Sequence, residues 1–376
     1  MAGRLYAYSF FEDFVLLYPV YAVLFAETGL SAAEISSLFI LWSLTGFVVE
    51  VPSGLLADVV SRRLLVVLAP LLAGAGFALW TFLPGYPAFA AGFVLWGVGG
   101  SVQSGALEAL VYEELSRAGA AGSYARLTGR AEAVGITAVM AASGLAAPVL
   151  ALGGYRALGV ASIAATLVAA AIALSFPEQG RAAGGEPDEP EQGYAAVLRA
   201  GLAEVRGSPR VRSAVIMVAA LSGFTTLDEY IPLLAGATVT APAAVPLLVL
   251  LVSAGAAAGG WLAGRGTHRT GPALVVAAGC LAAGSLAARP AGLVLVAVAF
   301  GVFQWAMAAA DAALQDRITD QARATVTSMS GLGVEVVAVT AYAGYGLGSL
   351  WAGPGPLFAL AAVPYLLLGA ALWRQR

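Results

Sequence analysis

Lysine is absent from this chain of 376 residues, histidine and cysteine occur once each, and charged side chains make up 11% of it. Each shortage excludes something. A soluble globular domain carries roughly 25% charged residues; with 60% hydrophobic residues and a mean hydropathy of +0.85, this chain fits a lipid-embedded protein instead. Without lysine there is no Gly-x-x-x-x-Gly-Lys loop, so ATP is not expected to drive it, and no cofactor is expected. Cys280 has no second cysteine to pair with, which excludes a disulfide within the chain. His268 has no Cys/His cluster around it, so no metal site is expected and the imidazole is read as solvated. No nucleophile–base–acid arrangement is readable, so the chain is not expected to be an enzyme. No basic patch marks a nucleic-acid partner. The net charge of −3 decides little, because the placement of charge matters more than its sum.

What is present is a series of long apolar segments. A helix crossing the hydrocarbon needs about 20 apolar residues, and about twelve such spans fit. They are expected over residues 5–26, 34–57, 64–83, 88–112, 125–150, 157–176, 213–236, 243–264, 272–288, 292–315, 324–350 and 355–373. The first is too long for a signal-peptide core and lacks a cleavage site, so it is read as a retained span. The arginines test this layout. Arg156 and Arg289 fall on one side and the other seventeen on or near the opposite side. That bias places both termini in the cytoplasm of a multi-pass protein of the cell membrane. The longest polar stretch, residues 177–192, is rich in Pro, Gly and Glu and reads as a flexible linker. Residues 194–206 carry Tyr194, Val197, Leu198, Leu202 and Val205 at helical spacing, which suits either an amphipathic helix on the membrane surface or a plain tether. The expected division is therefore 1–176, a first six-helix bundle; 177–212, the linker; and 213–376, a second bundle.

The two bundles repeat one another. Ser9-Phe10-Phe11 and Pro19 match Ser222-Gly223-Phe224 and Pro232 at a constant offset of 213; Glu108, Glu113, Glu132 and Thr137 match Asp311, Asp316, Glu335 and Thr340 at 203. A charged hairpin, Gly54-Leu55-Leu56-Ala57-Asp58 followed by Arg62 and Arg63, returns in weaker form as Gly260-Trp261-Leu262-Ala263-Gly264 followed by His268 and Arg269. Parallel repeats of six spans around a binding site are a recurrent transporter plan.

On these residues the chain resembles the major facilitator superfamily. Gly54, Asp58, Arg62 and Arg63 look like that family's loop motif between its second and third helices; in the second copy Gly264 replaces the acid. Gly144, Pro148, Gly153 and Gly154 loosely resemble the glycine-proline motif of the fifth helix in family antiporters, at different spacing. The fourth helix carries Gln103 and Glu108 where many proton-coupled members have an arginine. The resemblance implies an all-α membrane fold of two pseudo-symmetric six-helix bundles, a cavity lined by helices one, four, seven and ten, and alternating access with one chain sufficing as a monomer.

Carboxylates at membrane depth are costly unless paired, hydrated or neutralised. Glu12, Asp13, Glu50, Glu108, Glu132, Asp228, Glu229, Asp311 and Glu335 all fall within expected spans, where Arg130 is the clearest base. Glu12, Asp13, Asp228 and Glu229 are the first candidates for binding protons and substrate, with a helix-packing hydrogen bond as the plainer alternative. Glu108 and Asp311, about a turn inside the ends of helices four and ten, suit substrate contact or an ion-pair gate. Tyr18 is the candidate for stacking a flat ligand, and Gln103 and Gln304 are candidate polar contacts. Tyr21, Trp42, Trp96 and Trp305 are further aromatics on or near the cavity helices. A conformational gate is expected from Gly54, Asp58, Arg62, Arg63, Glu50, Glu132, Arg130 and Glu335, although Arg62 and Arg63 also satisfy the positive-inside rule alone. Pro19, Pro52 and Pro232 are expected to bend their helices.

The function these features support is secondary active transport, most simply export of a small amphipathic or cationic molecule in exchange for protons. The alternatives are proton-coupled uptake of a nutrient, or a sensor on the same fold that does not transport. The partners are then a small-molecule substrate, protons and the lipid bilayer.

Overall fold

The structure, a computed structural model, describes residues 1–177, 202–203, 205–266, 269–318 and 323–374, with side chains for all of these except 51–59 and 323–325. Most of the expected linker, the surface-helix segment and His268 lie outside the described residues.

Among the described residues the regular structure is helical throughout. The helices are α1 (Ala2–Asp13), α2 (Tyr21–Glu27), α3 (Ala32–Val59), α4 (Arg62–Phe82), α5 (Tyr86–Arg117), α6 (Tyr124–Ala173), α7 (Pro209–Thr225), α8 (Ile231–Gly236), α9 (Val245–Trp261), α10 (Thr270–Leu286), α11 (Gly292–Gln315), α12 (Arg323–Gly348) and α13 (Pro354–Arg374). Their starts are written in the sequence. Ser31 and Glu34 form a reciprocal capping box at α3, each bonding the other's backbone N–H, at 3.2 and 2.8 Å. The Ser61 hydroxyl accepts from Leu64 N at α4, and Ser208, followed by Pro209, accepts from Val211 N at α7.

Eight of these helices are long and apolar enough to cross a membrane. The broken first span (α1 and α2), α5, α10 and the doubling of α6 bring the spans to twelve, as expected. α6 supplies two spans because Gly154 adopts φ 64° and ψ −169°, a conformation essentially confined to glycine. The chain reverses there. Gly135 meets Asp13 of α1, whereas Phe176, just past the end of α6, packs on Tyr8 of the same helix. The loop expected between residues 150 and 157 is thus one residue wide.

The chain divides into two compact units, Met1–Arg181 with Ala241–Leu250, and Ala182–Thr240 with Leu251–Arg376. In the first unit α1 packs on α6, α4 on α5, and α4 on the returning part of α6. In the second, α7 packs on α12, α10 on α11, and α10 on α13. These are the same pairings, helix for helix, that the repeat in the sequence implies.

Both units break the span that opens them. α1 stops at Asp13 and regular helix resumes at Tyr21, with Pro19 in the gap. α7 stops at Thr225, a 3-10 turn occupies Thr226–Tyr230, and α8 follows with Pro232 in its first turn. At the offset of 213 the two breaks superpose. Irregular backbone at membrane depth must find partners inside the protein. In the first unit one freed amide, Leu17 N, donates to the buried Ser162 hydroxyl of α6 at 3.1 Å. Pro52 behaves differently from Pro19 and Pro232: α3 runs through it as a single helix.

Candidate functional site

Glu12 and Asp13 close the last turn of α1, about 15 Å from its start at Ala2, since the helix begins three residues before the expected span. Successive helical residues point about 100° apart, and the two carboxylates diverge accordingly. Glu12 accepts a hydrogen bond from the Gln103 side-chain amide of α5. Asp13 turns the other way and rests on α6 at Gly135. A β-carbon placed on Gly135 would collide with the Asp13 carboxylate and fall 3.3 Å from its Cγ, so a larger residue there displaces the carboxylate from this position. Two residues expected separately to be polar contacts, Glu12 and Gln103, are therefore one hydrogen-bonded pair.

Two turns before Gln103 on α5 lies Trp96. Its ring stacks on Tyr18 at 5.3 Å and on Trp42 of α3 at 4.7 Å, both at 18° between planes. Tyr18, Trp42 and Trp96 are half-buried, in contrast with Trp80, Phe25 and Phe93 behind them, which are almost wholly enclosed. Tyr18, expected to stack a ligand, already stacks on Trp96 and forms one face of this aromatic wall.

In the second unit the 3-10 turn displays Asp228 and Glu229 roughly 25 Å beyond Arg212 along the span. Asp228 is exposed and accepts the backbone N–H of Glu229. Tyr342 of α12 lies beside both acids and Thr226, and Tyr365 of α13 lies beside Asp228. Tyr230 stacks on Tyr345 at 3.7 Å, and Tyr365 on Phe303 at 3.7 Å. These tyrosines were missed in the sequence, yet Tyr342 stands seven residues after Glu335 on one helix, a spacing that returns to the same face.

Among the described residues, ion pairs join Arg62 to Glu113 and Arg117 to Glu114, and none reaches Glu12, Asp13 or Asp228. The Arg62–Glu113 pair links the start of α4 to the last turns of α5. A cation at a helix N-terminus and an anion near a C-terminus each oppose the helix dipole, and pairing them relieves both. The side chains of Gly54 and Asp58 are outside the described residues, and Glu113 is the acid seen on Arg62. Arg63 is half-buried in the same turn.

The remaining candidates are dispersed. Glu108 is exposed beside Tyr124 and lies about two and a half turns inside α5, because that helix continues to Arg117, beyond its expected end. Gln304 and Asp311 are exposed on α11, and Glu50 is exposed on α3. Arg130 and Glu132 are exposed on α6 with no ion pair between them, and Glu335 is half-buried on α12. The Trp305 indole donates to the Arg265 carbonyl at 2.9 Å, fixing the loop that ends the weaker hairpin copy. Gly97, Gly99 and Gly348 have close neighbours, while Gly100 and Gly344 face open space.

Comparison with known proteins agrees with the fold. The chain resembles a mutant of the nucleoside transporter NupG with a TM-score of 0.78 at 12% identity, over 99% of each chain. It resembles a bacterial homologue of the human lysosomal transporter Spinster at 0.68 and 15% identity, over 99% of this chain and 95% of that one. The D-xylose-proton symporter gives 0.68 and 14%, over 99% and 96%. At such identities the likeness establishes the fold alone. No curated protein matches the chain by sequence. The sequence pattern of the Major Facilitator Superfamily matches residues 5–291, most of the chain, and with the paired helix bundles this places the protein in that superfamily of membrane transporters.

Proposed function

We propose that the chain is a proton-coupled secondary transporter that exports a small amphipathic or cationic molecule, exchanging it for protons by alternating access. The observation that carries this reading is the placement of carboxylates at the breaks of both opening spans, where no ion pair reaches Glu12, Asp13 or Asp228 among the described residues. Acids left without a counter-charge at membrane depth must meet water, hold a proton or bind a cation. The half-buried indoles of Trp42 and Trp96 add a surface attractive to flat cations. Under this reading the arginine-rich ends face the cytoplasm, as do both termini, and a monomer suffices.

Proteoliposomes with an imposed pH gradient test it, with the flat cation ethidium as the probe and protein-free vesicles as the baseline. Exchange predicts that the probe and protons move in opposite directions, and that collapsing the gradient stops probe movement. Transport that ignores the gradient removes the coupling. A second reading, proton-coupled uptake, is favoured by the likeness in fold to a nucleoside transporter and a D-xylose-proton symporter. It predicts that nucleosides or sugars enter together with protons in the same vesicles.

A further inference from the structure

We infer that the two adjacent acids of the first span have separate tasks: Asp13 is the proton carrier of this half, and Gly135 is the positioning residue that lets its neutral form seat against α6. The inference rests on the proposed proton coupling. It starts from the divergence of the two side chains. Glu12 is held by an amide donor, and an ionised carboxylate has acceptor capacity to spare for a second partner. Asp13 lies against Gly135, and no hydrogen bond to its side chain is seen among the described residues. Leu127 and Ala131 of α6 are buried in a cluster with Leu5 of α1; one turn further along, Gly135 meets Ser9 and Asp13. The amides of that stretch are spent on the helix's own bonds. A charged group buried against such a surface is penalised, whereas a neutral carboxyl packs there readily.

The surroundings are otherwise poor in charge. The titratable groups near Asp13 are Glu12 and Tyr8 on its own helix, and the Tyr8 hydroxyl donates to the Val66 carbonyl of α4. α5 contributes Gln103, and the charged residues of α6 nearest in sequence to Gly135, Arg130 and Glu132, are exposed. The second half supplies an internal control. At the repeat offsets Asp13 corresponds to Thr226 and Gly135 to Ala338, so where the acid is missing the glycine is missing too. Seating and unseating of this carboxyl would bind and release a proton while changing the contact between α1 and α6, two helices on which the first unit is built.

The experiment is infrared titration of the protonated-carboxyl band in the purified full-length protein, without any substrate. The protonated-carboxyl band is expected to contain a component that disappears on raising pH, that Glu12→Gln leaves in place and that Asp13→Asn removes. Gly135→Ala, whose new methyl group displaces the carboxyl from α6, is expected to weaken the band at a given pH. Thermal unfolding of Gly135→Ala and of Asp13→Ala/Gly135→Ala guards against a merely packing effect: removing the carboxylate is expected to restore the stability that the lone Gly135→Ala change costs. A band untouched by Asp13→Asn, or a Gly135→Ala penalty that persists without Asp13, overturns the assignment. Because no probe is transported in these measurements, their failure is distinct from failure of the exporter reading.

Discussion

The Gln103 amide is the side-chain donor to Glu12. Removing it while keeping size, as in Gln103→Leu, deprives a buried carboxylate of its donor. Hydrogen bonds to charged groups are worth about 1.5–3 kcal/mol, so flux of the probe cation is expected to fall about tenfold or more. Gln103→Glu, which sets a second acid against the first, is expected to alter the pH dependence of flux, measured by uptake into vesicles across a pH series. The Arg62–Glu113 pair sits at the other extreme. Its side chains are 30% and 38% exposed, so Glu113→Gln is expected to cost less than about 1 kcal/mol in thermal stability, since exposed ion pairs contribute little. The sequence announced the acids themselves, because a carboxylate inside an apolar run is conspicuous wherever it falls. It did not announce that Glu12 reaches Gln103 across 91 positions, or that Arg62 reaches Glu113. Such partners are fixed by which helices become neighbours, and periodicity along one helix is blind to that.

At the scale of the helices, two irregularities organise the first unit: the gap between α1 and α2, and the turn at Gly154. The gap depends on a donor–acceptor pair. Ser162→Ala strands the Leu17 amide in a buried place, which is expected to cost about 1–3 kcal/mol, read as a lowered unfolding temperature. The turn depends on one residue's backbone freedom. Gly154→Ala forces a side chain into a conformation essentially reserved for glycine, at about 1–3 kcal/mol, whereas the same change at Gly100, which has open space around it, is expected to be nearly neutral. Pro19 and Pro232 mark the two broken spans, while helical structure continues through Pro52. The expected loop between the fifth and sixth spans was too long because hydropathy falls across Gly153-Gly154-Tyr155-Arg156 while the helical geometry continues on both sides.

For the molecule as a whole, class and architecture were legible from the chain. The sum of apolar segments gave the number of spans, the arginines gave a consistent sidedness, and the offsets of 213 and 203 gave the duplication that the helix pairings display. What composition left open is the direction of transport and the identity of the substrate, since both depend on how a few polar groups converge. The sidedness has a direct check. Cys280 is the only cysteine, so one substitution yields a cysteine-free background. A cysteine introduced at Arg156 is expected to react with an impermeant thiol reagent added outside intact cells. One introduced at Arg117 is expected to react only after the membrane is opened. The reverse pattern would invert the topology.

The one-residue turn at Gly154 also bears on how the protein is made. Two spans joined by so short a turn are expected to enter the bilayer together, as a hairpin, and not one after the other.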